Sequence, residues 1–228
     1  MTPTHDAPTL ALLRQGRWFS GLPDDFQHRL VQPGRRVQLA RGERLFARGD
    51  ANSGLYAVLS GAISVGAVGP SGKEALVAVA EAPQWFGEIA LIDGGLRTHN
   101  ADAREASTLL WLPLPELHAV LAEDPRRWQA FGQLAMEKLR AHAAERLQPA
   151  RDLIASGTPM AQVAASIKLT YDSTDFFGRY DRERRFGDDP DFRGVAFSLT
   201  PERPLSQVTK ITFGAVVLQL ADRKAPNM

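Results

Sequence analysis

Phe86-Gly87-Glu88-Ile89-Ala90-Leu91, followed after a short gap by Arg97-Thr98, joins a carboxylate and a guanidinium to a glycine-bearing turn. Such a turn can hold a small phosphorylated ligand. Gly87 lets the backbone come close to the ligand, the N–H groups of a following short helix can face an anion, and Arg97 can make paired, charge-assisted bonds to phosphate oxygens. Glu88 would repel phosphate, so its partner is expected to be a donor such as a sugar hydroxyl. The plainer alternative is a salt bridge between Glu88 and Arg97 across a surface turn.

Working outward, Gly42-Glu43-Arg44-Leu45-Phe46, Gly49-Asp50 and Gly54-Leu55-Tyr56-Ala57-Val58-Leu59-Ser60-Gly61 place glycines where hairpin turns need positive φ, with β-rich runs between them. The spacing predicts short strands at residues 36–39, 45–47, 55–59, 62–65, 75–79 and 107–112, a pattern typical of a sandwich or jelly roll. Before them, residues 10–30 read as two short helices broken at Gly21-Leu22-Pro23. Together these stretches resemble the cyclic-nucleotide-binding domain of CRP/FNR-type transcription regulators. In that family a Gly-Glu pair takes the ribose 2′-hydroxyl, and an Arg followed by Ser, Thr or Ala takes the cyclic phosphate. The resemblance implies that Gly87, Glu88, Ile89, Ala90, Arg97 and Thr98 bind cyclic AMP (cAMP) or cyclic GMP (cGMP). Thr directly after the arginine is found in cGMP-binding members, which gives the two nucleotides equal weight.

The whole chain sets the bounds. Its 228 residues allow one large or two ordinary domains, and its composition is that of a soluble globular protein. No apolar run approaches the roughly 20 residues of a membrane helix, and the start lacks the pattern of a signal peptide, so a cytoplasmic protein with no membrane contact is expected. The absence of cysteine excludes disulfides, thiolate zinc sites and cysteine-ligated iron–sulfur clusters. A net charge of +1 means that any DNA contact must come from a local basic patch. The histidines are scattered and no nucleophile–base constellation or metal spacing is visible, which argues against an enzyme and against a metal site.

After Pro113, residues 115–121 have helical spacing, and Pro125 can start a second helix running to about Leu147. In it Trp128, Phe131, Ala135, Leu139 and His142 recur at spacings of three and four, one apolar stripe. The stripe either packs on the β-domain or, as the resemblance implies, forms a homodimer helix over residues 125–147 that also lids the ligand. Family members place polar side chains on the purine near the middle of this helix. Here those positions fall close to His142 and Ala143, which leaves the base open.

Beyond residue 150 the match weakens. Residues 151–165, then Tyr171-Asp172-Ser173-Thr174-Asp175-Phe176-Phe177-Gly178-Arg179 and Arg184-Arg185-Phe186-Gly187, resemble the linker and second helix-turn-helix of AraC-type regulators. A short apolar helix is expected at residues 160–167, with Ser173 as N-cap of a second helix. That helix would carry Arg179, Arg182, Arg184 and Arg185, suited to phosphates and guanine edges. Asp175, Asp181 and Glu183 offset its charge, so a surface helix laced with ion pairs is the competing reading. Residues 205–218 echo a degenerate winged helix-turn-helix, with Lys210 and Phe213 where glycine and arginine are usual, yet are β-branched enough to be a pair of strands.

The expected architecture is therefore α+β: a jelly-roll sensor over residues 1–122, a long dimerisation helix over 123–149, and a mainly helical DNA-binding region over 150–228. The expected function is a ligand-responsive regulator binding double-stranded DNA as a dimer. The rival is a cyclic-nucleotide-binding sensor or interaction module that has lost DNA binding.

Overall fold

The computed structural model describes residues 7–68, 74–178, 181, 186, 189–212 and 214–224. The chain divides into two compact units, Met1–Ala135 and Met136–Met228.

In the first unit α1 (Ala7–Leu13), α2 (Arg17–Ser20) and α3 (Asp24–Val31) precede the strands. The single break expected at Gly21 is joined by another at Gly16, the residue before α2, so three short helices stand where two were expected. The strands are β1 (Arg35–Leu39), β2 (Arg44–Phe46), β3 (Gly54–Ser60), β4 (Ala62–Val68), β5 (Glu74–Glu81), β6 (Trp85–Phe86), β7 (Asn100–Ala103) and β8 (Ser107–Pro113). Among the described residues they form two four-stranded antiparallel sheets of order β1-β8-β3-β6 and β2-β7-β4-β5. Between β6 and β7 lies α4 (Glu88–Asp93), and after β8 comes α5 (Leu114–Glu123).

Strand alternation splits β3 between two cores. Leu55 and Ala57 face the helices with Phe19, Leu30, Leu110, Leu117 and Phe131. Tyr56 and Val58 face the second sheet with Phe46, Ile63, Phe86 and Leu109. A strand buried on both faces ties the helical layer to the sandwich. Gly54, which starts β3, has φ of 137°, and a Cβ there would fall 1.9 Å from the Leu112 carbonyl oxygen, so only glycine allows this pairing of β3 with β8.

A 3-10 turn (Pro125–Arg127) capped by the Asp124 carboxylate leads into α6 (Trp128–Ala155). Its start is fixed to the first unit by the Trp18 indole, which donates to the Ala130 carbonyl at 2.7 Å, and by Phe131, fully buried. The helix outruns the expected end near Leu147. Pro149 lies inside the helix rather than ending it. Along the expected apolar stripe Phe131 is core, whereas Leu139 is 54% exposed and His142 is also exposed.

The second unit contains α7 (Met160–Ser166), α8 (Pro190–Ser198) and the hairpin β9 (Thr209–Ile211) and β10 (Gly214–Val216). Ser173 is not the N-cap of a helix: residues 169–178 are irregular and exposed apart from the half-buried Leu169 and Phe177. Asp172, Ser173, Thr174 and Asp175 compete with helical bonding through their own side chains, and the Ser173 amide donates to the Asp172 carboxylate at 2.7 Å. Arg179, Arg182, Arg184, Arg185 and Phe213 lie outside the described residues. Phe177 and Phe186 both stack on Phe192 of α8, at 6.0 and 4.2 Å between ring centroids. These aromatics form a small core. The strand reading of residues 205–218 agrees with the β9–β10 hairpin.

Asp189 organises this unit. Its carboxylate accepts the amides of Asp191 and Phe192 at the start of α8 and, through the other oxygen, the amide of Thr212 at 2.7 Å. Burial raises the Asp189 pKa, but the bonds from Thr212, Phe192 and Asp191 outweigh it and hold the carboxyl below its ordinary range. A depressed folded pKa contributes stability that is present above the unfolded value of about 3.9 and is lost as the pH falls through the folded value. Asp189→Asn, which sets an amide against the Thr212 N–H, is expected to weaken hydrogen-exchange protection of α8 at pH 7 by about 1–2 kcal/mol and to reduce its acid sensitivity below about pH 4. Equal protection in the two proteins at both pH values would contradict this role.

Candidate functional site

The cassette is set by two left-handed glycines. Gly87, at φ 95° and ψ 7°, precedes α4, and Gly94, at φ 67°, follows it, so the six-residue helix is bounded at both ends by a conformation that favours glycine. Glu88 is 4% exposed and Ala90 3%. On the opposite side of α4, Ile89 and Ile92 are half exposed.

Arg97 is 3% exposed. Its backbone is clamped to the turn before β3: the Gly49 amide donates to the Arg97 carbonyl at 2.8 Å and the Arg97 amide to the Asp50 carbonyl at 2.9 Å. Its guanidinium donates from Nη1 to the Gly87 carbonyl at 3.1 Å and from Nη2 to the Gly54 carbonyl at 2.7 Å and the Ser53 hydroxyl at 3.3 Å. Phe46 lies beneath it, with Cζ 4.3 Å from the ring centroid, and Tyr56 stands at 5.6 Å. Such stacking contributes roughly 0.5–2 kcal/mol when desolvated.

Two features suit Arg97 to an anion. The Arg97 Nε–H is buried and has no acceptor. Burial also pushes the guanidinium below its ordinary pKa, and Tyr56, Asp50 and Glu88 pull it only part of the way back. An arginine remains charged under these conditions, so the site holds a desolvated positive charge whose hydrogen bonds go to neutral oxygens. A surface salt bridge between Glu88 and Arg97 is not what forms. Both are buried, and the guanidinium turns to the carbonyls of Gly87 and Gly54 instead.

The structure thus brings together Gly87, Glu88, Ala90 and Arg97, with Ile89 on the solvent side. Thr98 is exposed, and its hydroxyl shares a 2.8 Å hydrogen bond with His99 Nδ1. His142 is exposed on α6 in the second unit. Ser53, Phe46 and Tyr56 were not singled out as site residues from the sequence. Their signal is the Gly49-Asp50 turn followed by Ser53-Gly54, which returns the chain to the cassette. Among the described residues, no group of three or more His, Asp or Glu is placed to hold a metal ion, and no helix is long and apolar enough to cross a membrane.

Residues 36–124, which include both antiparallel sheets, the glycine-bounded short helix and the buried arginine, match the cyclic nucleotide-binding domain. Over 129 residues the chain is 25% identical to the CRP-like cAMP-activated global transcriptional regulator of Mycobacterium tuberculosis, covering 57% of this chain and 58% of that protein. The chain therefore spans less than two thirds of the curated relatives it matches. Among solved structures, the N-terminal domain of a transcriptional regulator from Streptomyces coelicolor A3(2) is 32% identical, covering 57% of this chain and 93% of that one, with a TM-score of 0.49. The Thermus thermophilus catabolite activator protein is 24% identical, covering 68% and 81% respectively, with a TM-score of 0.50. That likeness is one of fold.

A Cβ on Gly87 would lie 2.8 Å from Arg97 Nη1, whereas one on Gly94 would meet nothing within 4 Å. Both positions carry positive φ, so Gly94→Ala reports the backbone strain alone, about 1 kcal/mol. Gly87→Ala is expected to cost at least about 1 kcal/mol more in urea unfolding of the first unit, because the guanidinium must shift as well. Equal losses would show that the close approach of Gly87 to Arg97 is unimportant.

Proposed function

We propose that the chain is a ligand-responsive transcription regulator of the CRP/FNR type, in which a cyclic nucleotide bound at Gly87, Glu88, Ile89, Ala90, Arg97 and Thr98 controls dimeric binding of double-stranded DNA. The observation that carries this reading is the buried Arg97 cation with its unpartnered Nε–H. The phosphate of cAMP or cGMP supplies the missing charge and acceptor, and Glu88 accepts from a ribose hydroxyl. The dimer forms through residues 125–147, where the exposed Leu139 gives α6 apolar surface to bury. DNA is read from the second unit, by Ser173 and the cluster Arg179, Arg182, Arg184 and Arg185. Effector and DNA communicate only to the extent that the nucleotide prefers one arrangement of the protein over another.

A second reading is favoured by a specific observation: Phe177 and Phe186 are drawn into the core around Phe192, and residues 169–178 are not helical. On that reading the second unit is an interaction module and the chain is a cyclic-nucleotide sensor without DNA binding.

Calorimetric titration with cAMP and cGMP tests the shared part. Saturable heat with at least one nucleotide is expected, reduced at least about 100-fold in affinity in Arg97→Ala, since the cation and its charge-assisted contact to the phosphate are lost. Thr98→Ala is expected to favour cAMP relative to cGMP. No heat with either nucleotide in a folded protein would overturn the proposal. DNA retention then separates the two readings: a reader using several phosphate contacts loses affinity steeply with salt, and a sensor module retains no DNA specifically.

A further inference from the structure

A solvent-open cavity of about 240 Å³ lies between α1 and the helix-facing side of the first sheet. Its walls are Pro8 and Leu12 of α1 and Leu59 of β3. Its polar groups are Thr9, Ser60, Thr108 and the guanidinium of Arg36. Strand register explains how they meet. Arg36 stands opposite Leu110 on β8, and Thr108, two residues on, stands opposite Gln38 on one side and Ser60 on the other. The row that is leucine at 112 and 110 thus turns polar at 108.

Arg36 carries the chemistry. Its neighbour Arg35 pairs with Glu116 at 2.9 Å, whereas Arg36 forms no ion pair among the described residues. Its Nη2 donates to the Thr9 hydroxyl, which is 3% exposed, at 3.2 Å. Arg36 and the hydroxyl-bearing Ser60 and Thr108 line a cavity that has no carboxylate among its described lining residues. A cation beside hydroxyls at one side and hydrocarbon at the other matches a small amphiphilic anion. The cavity is distinct from the cassette. Ser60 is six residues along β3 from Gly54, roughly 20 Å at strand rise.

We propose that this cavity binds a small organic monocarboxylate, its carboxylate on Arg36 with the hydroxyls of Thr9 and Thr108, and its short chain against Pro8, Leu12 and Leu59. The site is independent of the cyclic-nucleotide reading.

The test is saturation-transfer NMR on the full chain with sodium hexanoate, with hexanol and hexylamine as uncharged and cationic analogues of the same length. Hexanoate is expected to saturate, to bind at least about tenfold more tightly than hexanol or hexylamine, and to weaken by at least about tenfold in Arg36→Gln, with recovery in Arg36→Lys. Arg97→Ala is expected to leave hexanoate binding unchanged. Absence of saturable binding, equal binding of hexanol, indifference to Arg36→Gln, or loss in an Arg97→Ala protein that keeps the wild-type amide spectrum of β3 and β8 would each overturn the proposal, the last by placing the carboxylate at the cassette.

Discussion

A single residue, Arg97, binds the cassette to the start of β3: its guanidinium donates to the carbonyls of Gly54 and Gly87, and its backbone pairs with the Gly49-Asp50 turn. Burying this cation on neutral acceptors is costly, and an orphaned buried N–H costs roughly 1–3 kcal/mol on its own. The surrounding structure must compensate. It does so with the Phe46 platform, with the Ser53 hydroxyl, itself bonded to Tyr56 at 2.9 Å, and with glycines at the two points where a side chain would force the backbone away. The unfavourable electrostatics of the site are also its chemical capacity. An anion that reaches the guanidinium relieves a desolvated charge and is favoured accordingly.

The rest of the first unit serves this arrangement. β3 is buried on both faces, so the Gly54 carbonyl that accepts from Arg97 is held by the helical core on one side and the sandwich core on the other. Tyr56, two residues on, stacks on Phe86 at 5.5 Å, and Phe86 immediately precedes the cassette glycine. Arginine, strand and cassette are therefore joined by a continuous set of contacts. Ile89 and Ile92, the half-exposed side chains of α4, lie on the side away from that core.

Much of the first unit was legible in the sequence, because glycine turns and β-branched runs repeat at short intervals and the cassette combines residue types that seldom meet by chance. The strands that escaped notice are those without such a signature. Trp85–Phe86 is two residues long, and Asn100–Ala103 consists of poor strand formers carried into the sheet by pairing with β2 and β4. The site residues were legible as types, but the inward turn of Arg97 onto carbonyls was not, because backbone acceptors leave no trace in composition. In the second unit the stacking of Phe177 and Phe186 on Phe192 was not legible, because tertiary packing of rings leaves no local signature in the sequence. Helix α8, with Asp189 and Pro190 at its start, carried a clear cap signal that was overlooked in favour of the arginines before it.

The measurement that bears most directly on this account is the ¹⁵N-edited NMR signal of the Arg97 Nε–H, assigned by its loss in Arg97→Lys, during titration with cAMP, cGMP and adenosine. If the unpartnered donor is where a phosphate is received, the signal shifts saturably with at least one cyclic nucleotide and stays in place with adenosine, which offers the same base and ribose without the phosphate. A signal indifferent to both nucleotides, or displaced equally by adenosine, would contradict the claim that Arg97 is the anion receptor of this fold.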